Sequence, residues 1–160
     1  MTAISVGTVV DASAGAVWAE LADLASHVEW MADAASITFV GSQRRGLGTH
    51  FDCLTRVGPL HTTDRMVVVE WVEGTTIGVR HVGLVTGEGR FTLAPIAAAP
   101  TRAPRTEVRW TEDLRFPWWL AGRLGAAAGR PVLRRLWRRN LANLKARVEG
   151  APDGPSVSRS

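Results

Sequence analysis

The sequence has one cysteine, one lysine and no long uncharged apolar run. A lone cysteine, Cys53, cannot build a disulfide framework and fits a reducing compartment, so we expect a cytoplasmic protein. The longest apolar runs are far shorter than the roughly 20 residues that a membrane-spanning helix needs. The first fourteen residues contain neither a basic segment nor an apolar run, and we therefore expect no signal peptide.

The signatures of several kinds of site are also absent. No spacing of Cys and His residues suggests a metal site, so we expect no metal. There is no Walker loop and no dinucleotide fingerprint, and we expect no cofactor. No nucleophile elbow is present, and Cys53 has no identifiable base.

The positive charge of the chain is concentrated in one short segment. The formal net charge is +4, and five arginines fall within ten residues: Arg130, Arg134, Arg135, Arg138 and Arg139. A run of this kind is usually the solvated side of an amphipathic helix, but it is also able to contact anionic lipid. No nucleic-acid motif is present, so we expect no nucleic-acid partner, whereas transient membrane contact stays open.

The length of 160 residues predicts one domain over residues 1–149, followed by a disordered tail over 150–160. Ser13 predicts the start of one short helix after the first strand, and a capping box of Ser26 and Glu29 predicts the start of a second. Alternation of apolar and polar residues predicts seven strands, over 3–10, 36–41, 49–57, 60–71, 76–82, 85–94 and 105–116.

A long C-terminal helix is predicted from Pro117 to about Glu149, interrupted at 129–131, where we expect a kink. Strands joined by short turns imply an antiparallel sheet, and this helix is the only large cover for its apolar face. The first half of the helix is rich in small residues, which leave volume for a ligand or allow close backbone packing. A Pro/Ala loop is expected over 95–104.

Four segments resemble a known family. The stretch VDASAGAVWAELADLASHVEWM at 10–31 has an alanine-rich helix start, and GLGTHF at 46–51 has a glycine-rich strand opening. GEGRFTLAP at 87–95 and TEVRWTEDL at 106–114 look like the sixth and seventh strands. In this order and spacing they resemble the START-like (SRPBCC) superfamily of polyketide cyclases, dehydratases and lipid-transport proteins.

The resemblance implies an α+β helix-grip fold. Such a fold has a curved antiparallel sheet of about seven strands around a long C-terminal helix, with two short helices after strand 1 and an apolar cavity between sheet and helix. It does not determine the ligand, because the family spans carriers, sensors, receptors and enzymes. The residues that we expect to line the cavity are Trp30, Phe51, Val79, Phe91, Leu93, Trp110, Leu114, Trp118, Ala121 and Gly125.

Glu112 is the first candidate for a catalytic role, because it is the one acid in an apolar column of the last strand. A buried carboxyl must pair, meet water or take up a proton with a raised pKa. It is then able to act as a general acid or base, or to hold one polar group of a ligand. The alternative is a structural ion pair with Arg90 or Arg123.

His81 is the second candidate, since it shares an otherwise apolar column with Ile77 and Val79 and is able to pair with Glu112 across a cavity. The alternative is a half-buried histidine bonded to the backbone. The facing of Asp64 is undecided, because both columns of its strand are apolar.

Three functions are compatible with these features. The first is binding of a hydrophobic small molecule such as a lipid, sterol or polyketide-like compound. The second is a cyclase or dehydratase that moves protons with Glu112 and His81. The third is docking on a membrane or protein through the arginine face of the last helix. The oligomeric state is left open.

Overall fold

The computed structural model describes residues 3–119 and 126–151. Within these ranges the strands are β1 (Ile4–Val10), β2 (Ala34–Val40), β3 (His50–Val57), β4 (Leu60–Val72), β5 (Thr76–Val82), β6 (Thr86–Ile96) and β7 (Arg105–Arg115). The helices are α1 (Ala14–Ala22), a 3-10 turn (Leu24–Ser26), α2 (His27–Trp30) and α3 (Ala126–Gly150). This is the predicted α+β helix-grip fold, which is therefore confirmed.

The strands form one antiparallel sheet in the order β1-β7-β6-β5-β4-β3-β2. From β2 to β7 each strand pairs with the next one along the chain, and β1 pairs with β7 as the edge strand of the sheet. The free edge of β1 lies under α3, where Lys145 Nζ donates to the Val9 carbonyl at 2.8 Å and Arg130 donates to the Ala3 carbonyl at 3.4 Å. These contacts protect an edge that would otherwise offer unpaired backbone groups.

The core lies between the inner face of the sheet and the second half of α3. Helical spacing puts apolar side chains of α3 on one stripe, and these are buried against β1, β6 and β7. The buried side chains of the stripe are Trp137, Leu141, Leu144 and Val148. The core therefore anchors the C-terminal part of α3.

Asn140 joins α3 to the segment after α2 by polar contacts. Its side chain is fully buried, accepts a hydrogen bond from the Ala32 N–H at 2.9 Å, and donates to the Asp33 carboxylate at 2.6 Å. Burial raises the pKa of Asp33. The nearby Asn143, which is exposed, donates to the Trp30 carbonyl at 3.0 Å.

Two local predictions were wrong. Ser26 precedes α2, but its hydroxyl donates to the carbonyls of Glu20 and Asp23, at 3.2 and 2.8 Å, so it forms no capping box with Glu29. A 3-10 turn leads into α2 instead. The helix α3 runs through Pro131 without the predicted interruption. Packing of the downstream stripe on the sheet compensates for the hydrogen bond that proline cannot donate.

Boundaries also differ from the prediction at β6, which continues to Ile96 and so includes the start of the predicted Pro/Ala loop. The predicted tail beyond residue 151 and the small residues at 120–125 lie outside the described residues.

Candidate functional site

Three ionisable side chains from three strands meet on the inner face of the sheet. Asp64 lies on β4, His81 on β5 and Glu112 on β7, and all three are buried. Nδ1 of His81 hydrogen-bonds a carboxylate oxygen of Asp64. Nε2 of His81 lies 3.4 Å from Oε2 of Glu112. We call these three residues the Asp–His–Glu cluster.

The second carboxyl group of the cluster is held by the aromatic core. Nε1 of Trp110, two residues earlier on the same face of β7, donates to Oε1 of Glu112 at 2.8 Å. The Trp110 ring stacks against Phe91 and Trp137, with ring centroids 4.8 and 5.4 Å apart. Glu112 therefore sits at the edge of a packed aromatic group that positions its carboxylate.

The cluster keeps the imidazole of His81 protonated at neutral pH. Burial by itself lowers the pKa of His81. The hydrogen bond to Asp64 and the negative charges of Asp64 and Glu112 outweigh this effect and raise the pKa from 6.5 to about 9. Asp64 thus holds a protonated ring whose Nε2 atom points toward Glu112.

Two glycines of β6 make this arrangement sterically possible. Gly89 is the register partner of Glu112, whose carboxylate extends over it toward β5. Gly87 has a φ of +133°, and a Cβ there would lie 2.0 Å from the Asp113 carbonyl oxygen. Both glycines of the GEG motif at 87–89 are therefore required by local geometry.

The cluster retains hydrogen-bonding capacity that no described residue uses. Asp64 Oδ1, His81 Nε2 and Glu112 Oε2 are buried and have no hydrogen-bond partner among the described residues. The 3.4 Å separation of the last two atoms is an ion-pair distance, but their geometry does not make a hydrogen bond. The indole Nε1 of Trp30, also buried, is likewise without a partner in this part of the chain.

The two predicted catalytic residues are thus brought together, and Glu112 does not form the alternative structural pair with Arg90. Arg90 instead bonds Glu70 on the outer face, at 2.6 Å. Arg123 lies outside the described residues. The catalytic role of Glu112 and His81 stays a prediction.

The residues predicted to line a cavity occupy different environments. Trp118 is 85% exposed, and Ala121 and Gly125 lie outside the described residues. The half-buried members are Val79 and Leu114. The buried members are Trp30, Phe51, Phe91, Leu93 and Trp110. Their contact with a ligand stays a prediction.

Asp64 is the member of the cluster whose facing the sequence alone did not predict. Its own column, with Met66 and Val68, faces inward, although Trp71 of the opposite column also turns to the inner face. A register shift between Val68 and Glu70 explains both observations, because it reverses the facing of the residues that follow it. In the sequence, apolar residues at both alternating sets of positions of one long strand are the pattern that indicates such a bulge.

Concavities on the surface include two that are lined by described residues. One of about 280 Å³ lies between β1 and α3, beside Ile4 and Arg134. The other, of about 430 Å³, opens at the end of β5, β6 and β7 and is lined by Arg80, His81, Thr86, Gly87, Glu88, Asp113 and Arg115. The second concavity reaches the Asp–His–Glu cluster at His81.

Within residues 3–119 and 126–151, no group of three or more His, Cys, Asp or Glu side chains is arranged to hold a metal ion. None of the helices in these ranges has the length and apolar character needed to cross a membrane.

The arginines of α3 differ from those of the sheet. On the sheet, arginines such as Arg65, Arg80 and Arg109 form ion pairs with carboxylates. The five arginines over 130–139 are exposed and form no ion pair within the described residues. Docking through this face stays a prediction, which salt-sensitive binding to anionic vesicles would test.

Comparison with known proteins agrees with the fold and the resemblance. Residues 1–149 match the family model described as polyketide cyclase / dehydrase and lipid transport. A structure from Thermus thermophilus superposes with a TM-score of 0.72 at 16% identity, covering 93% of this chain and 98% of that one. A START superfamily protein from Mycobacterium smegmatis gives 0.61 at 16% identity, covering 92% and 94%.

The di-domain ARO/CYC protein BexL is also similar, with a TM-score of 0.64, 18% identity and coverage of 97% of this chain but 51% of BexL. These identities are low and establish the fold alone. None of the curated proteins matches this chain in sequence. The family match over 1–149 shows that the chain belongs to the polyketide cyclase / dehydrase and lipid transport family.

Proposed function

We propose that the protein binds a hydrophobic small molecule, such as a lipid, sterol or polyketide-like compound, between the inner face of the sheet and α3. One polar group of the ligand lies at the Asp–His–Glu cluster. The observation that carries this proposal is the set of unpartnered polar atoms Asp64 Oδ1, His81 Nε2 and Glu112 Oε2 on an otherwise apolar face. A buried polar atom without a partner costs about 1–3 kcal/mol, and a ligand group that bonds it removes this cost.

The surroundings of the cluster support an apolar ligand. Phe91 and Trp110 lie beside it on the inner face, and Val79 and Leu114 are only partly buried by the described chain. Small-molecule sites are typically apolar with a few placed polar groups, which is the composition found here. Membership of the family is consistent with such a site.

Native mass spectrometry of the freshly purified full chain, with organic extraction of any bound mass, tests the proposal. A bound apolar molecule at one-to-one stoichiometry is the expected result. A chain that is free of ligand, and that stays free after incubation with pooled lipid and polyketide extracts, would contradict it.

A second candidate function is an enzyme of the cyclase/dehydratase type, and the specific observation in its favour is that the cluster combines an acid with a base. His81, held by Asp64, has a protonated Nε2 that is able to donate to a developing oxyanion of a polyketone. Glu112 Oε2 lies 3.4 Å away and is able to take a proton from the adjacent carbon. The enolate so formed attacks a second carbonyl carbon of the same substrate, and a ring closes as the new carbon–carbon bond replaces the carbonyl π bond. The resulting alkoxide takes up the proton that Glu112 removed, which returns Glu112 to its carboxylate form.

Replacement of Glu112 separates the two candidates. Glu112→Gln keeps the size of the side chain but removes the base, so an enzyme loses turnover of a polyketone while it retains binding. Glu107→Gln, on the same strand but in an exposed pair with Arg109, is the matched control. Equal turnover in both variants would exclude Glu112 as the base.

A further inference from the structure

The unpartnered atoms of the cluster also indicate which polar group the ligand carries. We propose that it is a hydroxyl group, phenolic, enolic or alcoholic, which accepts a hydrogen bond from His81 Nε2 and donates one to Glu112 Oε2. This inference rests on the proposed function and narrows it to a class of ligand.

The two atoms differ in what they offer to a ligand. Nδ1 of His81 is taken up by Asp64, and the ring is protonated at neutral pH, so Nε2 is an N–H donor. Oε1 of Glu112 is taken up by the indole of Trp110, which leaves Oε2 as the acceptor. The ligand atom that satisfies both must therefore accept and donate at once, as a hydroxyl oxygen does.

The spacing of the two atoms suits a single oxygen. They are 3.4 Å apart, and hydrogen bonds to oxygen have lengths of about 2.8 Å. One oxygen about 2.8 Å from each atom, to the side of the line between them, forms a triangle with both. A buried water offers the same two hydrogen bonds, so the experiment must separate water from a ligand hydroxyl.

Charged ligand groups fit this position less well. A carboxylate accepts from His81 but has no proton to donate, and it meets the carboxyl groups of Glu112 and Asp64. An ammonium donates to Glu112 but faces the protonated ring of His81. The side chains of Asp64, His81 and Glu112 are each 8% exposed, so a charged group would also lose its water shell there.

A matched series of naphthyl compounds tests this inference with the full chain at pH 7. Isothermal titration calorimetry compares naphthalene, naphthol, naphthoate and aminomethylnaphthalene, which share one ring system and differ in the polar group. We expect naphthol to bind at least about tenfold more tightly than each of the others, because its hydroxyl forms two hydrogen bonds to charged groups. Naphthoate or the amine binding as tightly as naphthol would overturn the inference.

The apolar parent distinguishes this failure from a failure of the proposed function. If naphthalene binds as tightly as naphthol, the apolar site exists and a water occupies the cluster, so only the hydroxyl inference fails. If none of the four compounds binds but native mass spectrometry finds a bound apolar molecule, the hydroxyl inference fails and the proposed function stands. A chain that is free of ligand in both experiments contradicts both proposals.

A charge-removing variant provides an independent readout. In Glu112→Gln the Trp110 N–H holds the amide oxygen, so an NH2 group replaces the acceptor Oε2 and the negative charge is lost. We therefore expect naphthol to bind about tenfold more weakly, and naphthoate to bind more tightly, than in the wild type. The control Glu107→Gln leaves the order of the four affinities unchanged. An unchanged order in Glu112→Gln would overturn the inference even if naphthol is preferred by the wild type.

Discussion

The carboxylate of Glu112 occupies the space directly above Gly89. The two residues are register partners on β7 and β6, and a Cβ built on Gly89 would lie 2.6 Å from Oε1 of Glu112 and 2.9 Å from its carboxyl carbon. Side chains do not approach one another this closely. Glycine at this position is therefore what allows the carboxylate to cross β6 and reach His81.

Gly89→Ala is expected to displace Glu112 from His81. The added methyl group overpacks a buried position, so the free energy of unfolding falls by about 1–3 kcal/mol. The pKa of His81 also falls, because one of its two carboxyl partners moves away. Urea denaturation measures the first effect and an NMR titration of the imidazole measures the second.

Gly15→Ala is the matched control, since a Cβ there meets only Ser13 Oγ, at 3.9 Å. Gly15 lies inside α1, so alanine should leave stability equal or raise it by up to about 1 kcal/mol. A Gly89→Ala protein with wild-type stability and an unchanged His81 titration would contradict the steric account.

Stability should fall as the pH rises from about 6.5 to 9. The folded protein raises the pKa of His81 from 6.5 to about 9, so this group stabilises the fold fully below pH 6.5 and stops doing so above pH 9. The change corresponds to at most about 3 kcal/mol. Urea denaturation at intervals across this range gives the slope, and His81→Gln should remove most of it.

Other shifted groups act outside this pH window. Burial lowers the pKa of His27, so its contribution increases stability only as the pH rises toward 6.5. Burial raises the pKa of Cys53 from 9.0 to about 11, so the ionisation of this thiol lowers the stability of the fold only above pH 9. A flat stability profile between pH 6.5 and 9 in the wild type would show that the cluster does not hold a protonated His81.

Asp64→Asn should lower the pKa of His81 more than Glu112→Gln does. Asp64 makes a hydrogen bond to Nδ1 of the ring, whereas Glu112 lies 3.4 Å from Nε2 without one. The proton NMR titration of His81 in the two variants measures the order. Asp52→Asn, on the exposed side of β3 in a pair with Arg65, is the control and should leave the titration unchanged. The reverse order would assign Glu112 the main role in holding the proton.

Asn140→Ala should destabilise the fold more than Asn143→Ala. Asn140 is fully buried, and its loss leaves the Ala32 N–H and the Asp33 carboxylate without their partner, at a cost of about 2–4 kcal/mol. Asn143 is exposed, and water replaces its bond to the Trp30 carbonyl, so we expect a loss of about 1 kcal/mol or less. Thermal unfolding of both variants measures the difference, and equal losses would contradict a special role for the buried contact.

The strands and the pairing of His81 with Glu112 were predictable, because both depend on the alternation of apolar and polar residues along a strand. A lone polar residue in an apolar column indicates an inward side chain in an antiparallel sheet. The start of α1 at Ser13 was predictable for a similar reason, since its hydroxyl accepts from the Ala16 N–H as an N-cap does.

Other features of the fold and the site were not predictable, because they depend on contacts that the local sequence pattern does not show. The facing of Asp64 follows from a register shift later in β4, which the local pattern does not locate. The role of Gly89 follows from a side chain of another strand that lies above it. The hydroxyl of Ser26 does not cap α2, because it donates to the carbonyls of Glu20 and Asp23 instead. These acceptors lie within hydrogen-bonding distance once the 3-10 turn has formed.

The central claim is that a ligand places its polar group at His81 and Glu112, and an NMR titration of the full chain with naphthol tests it most directly. The account predicts that the largest backbone shifts fall at His81, Gly87 and Gly89, with a parallel change in the His81 ring signals. Shifts that are absent, or that are confined to the exposed arginines of α3, would contradict it.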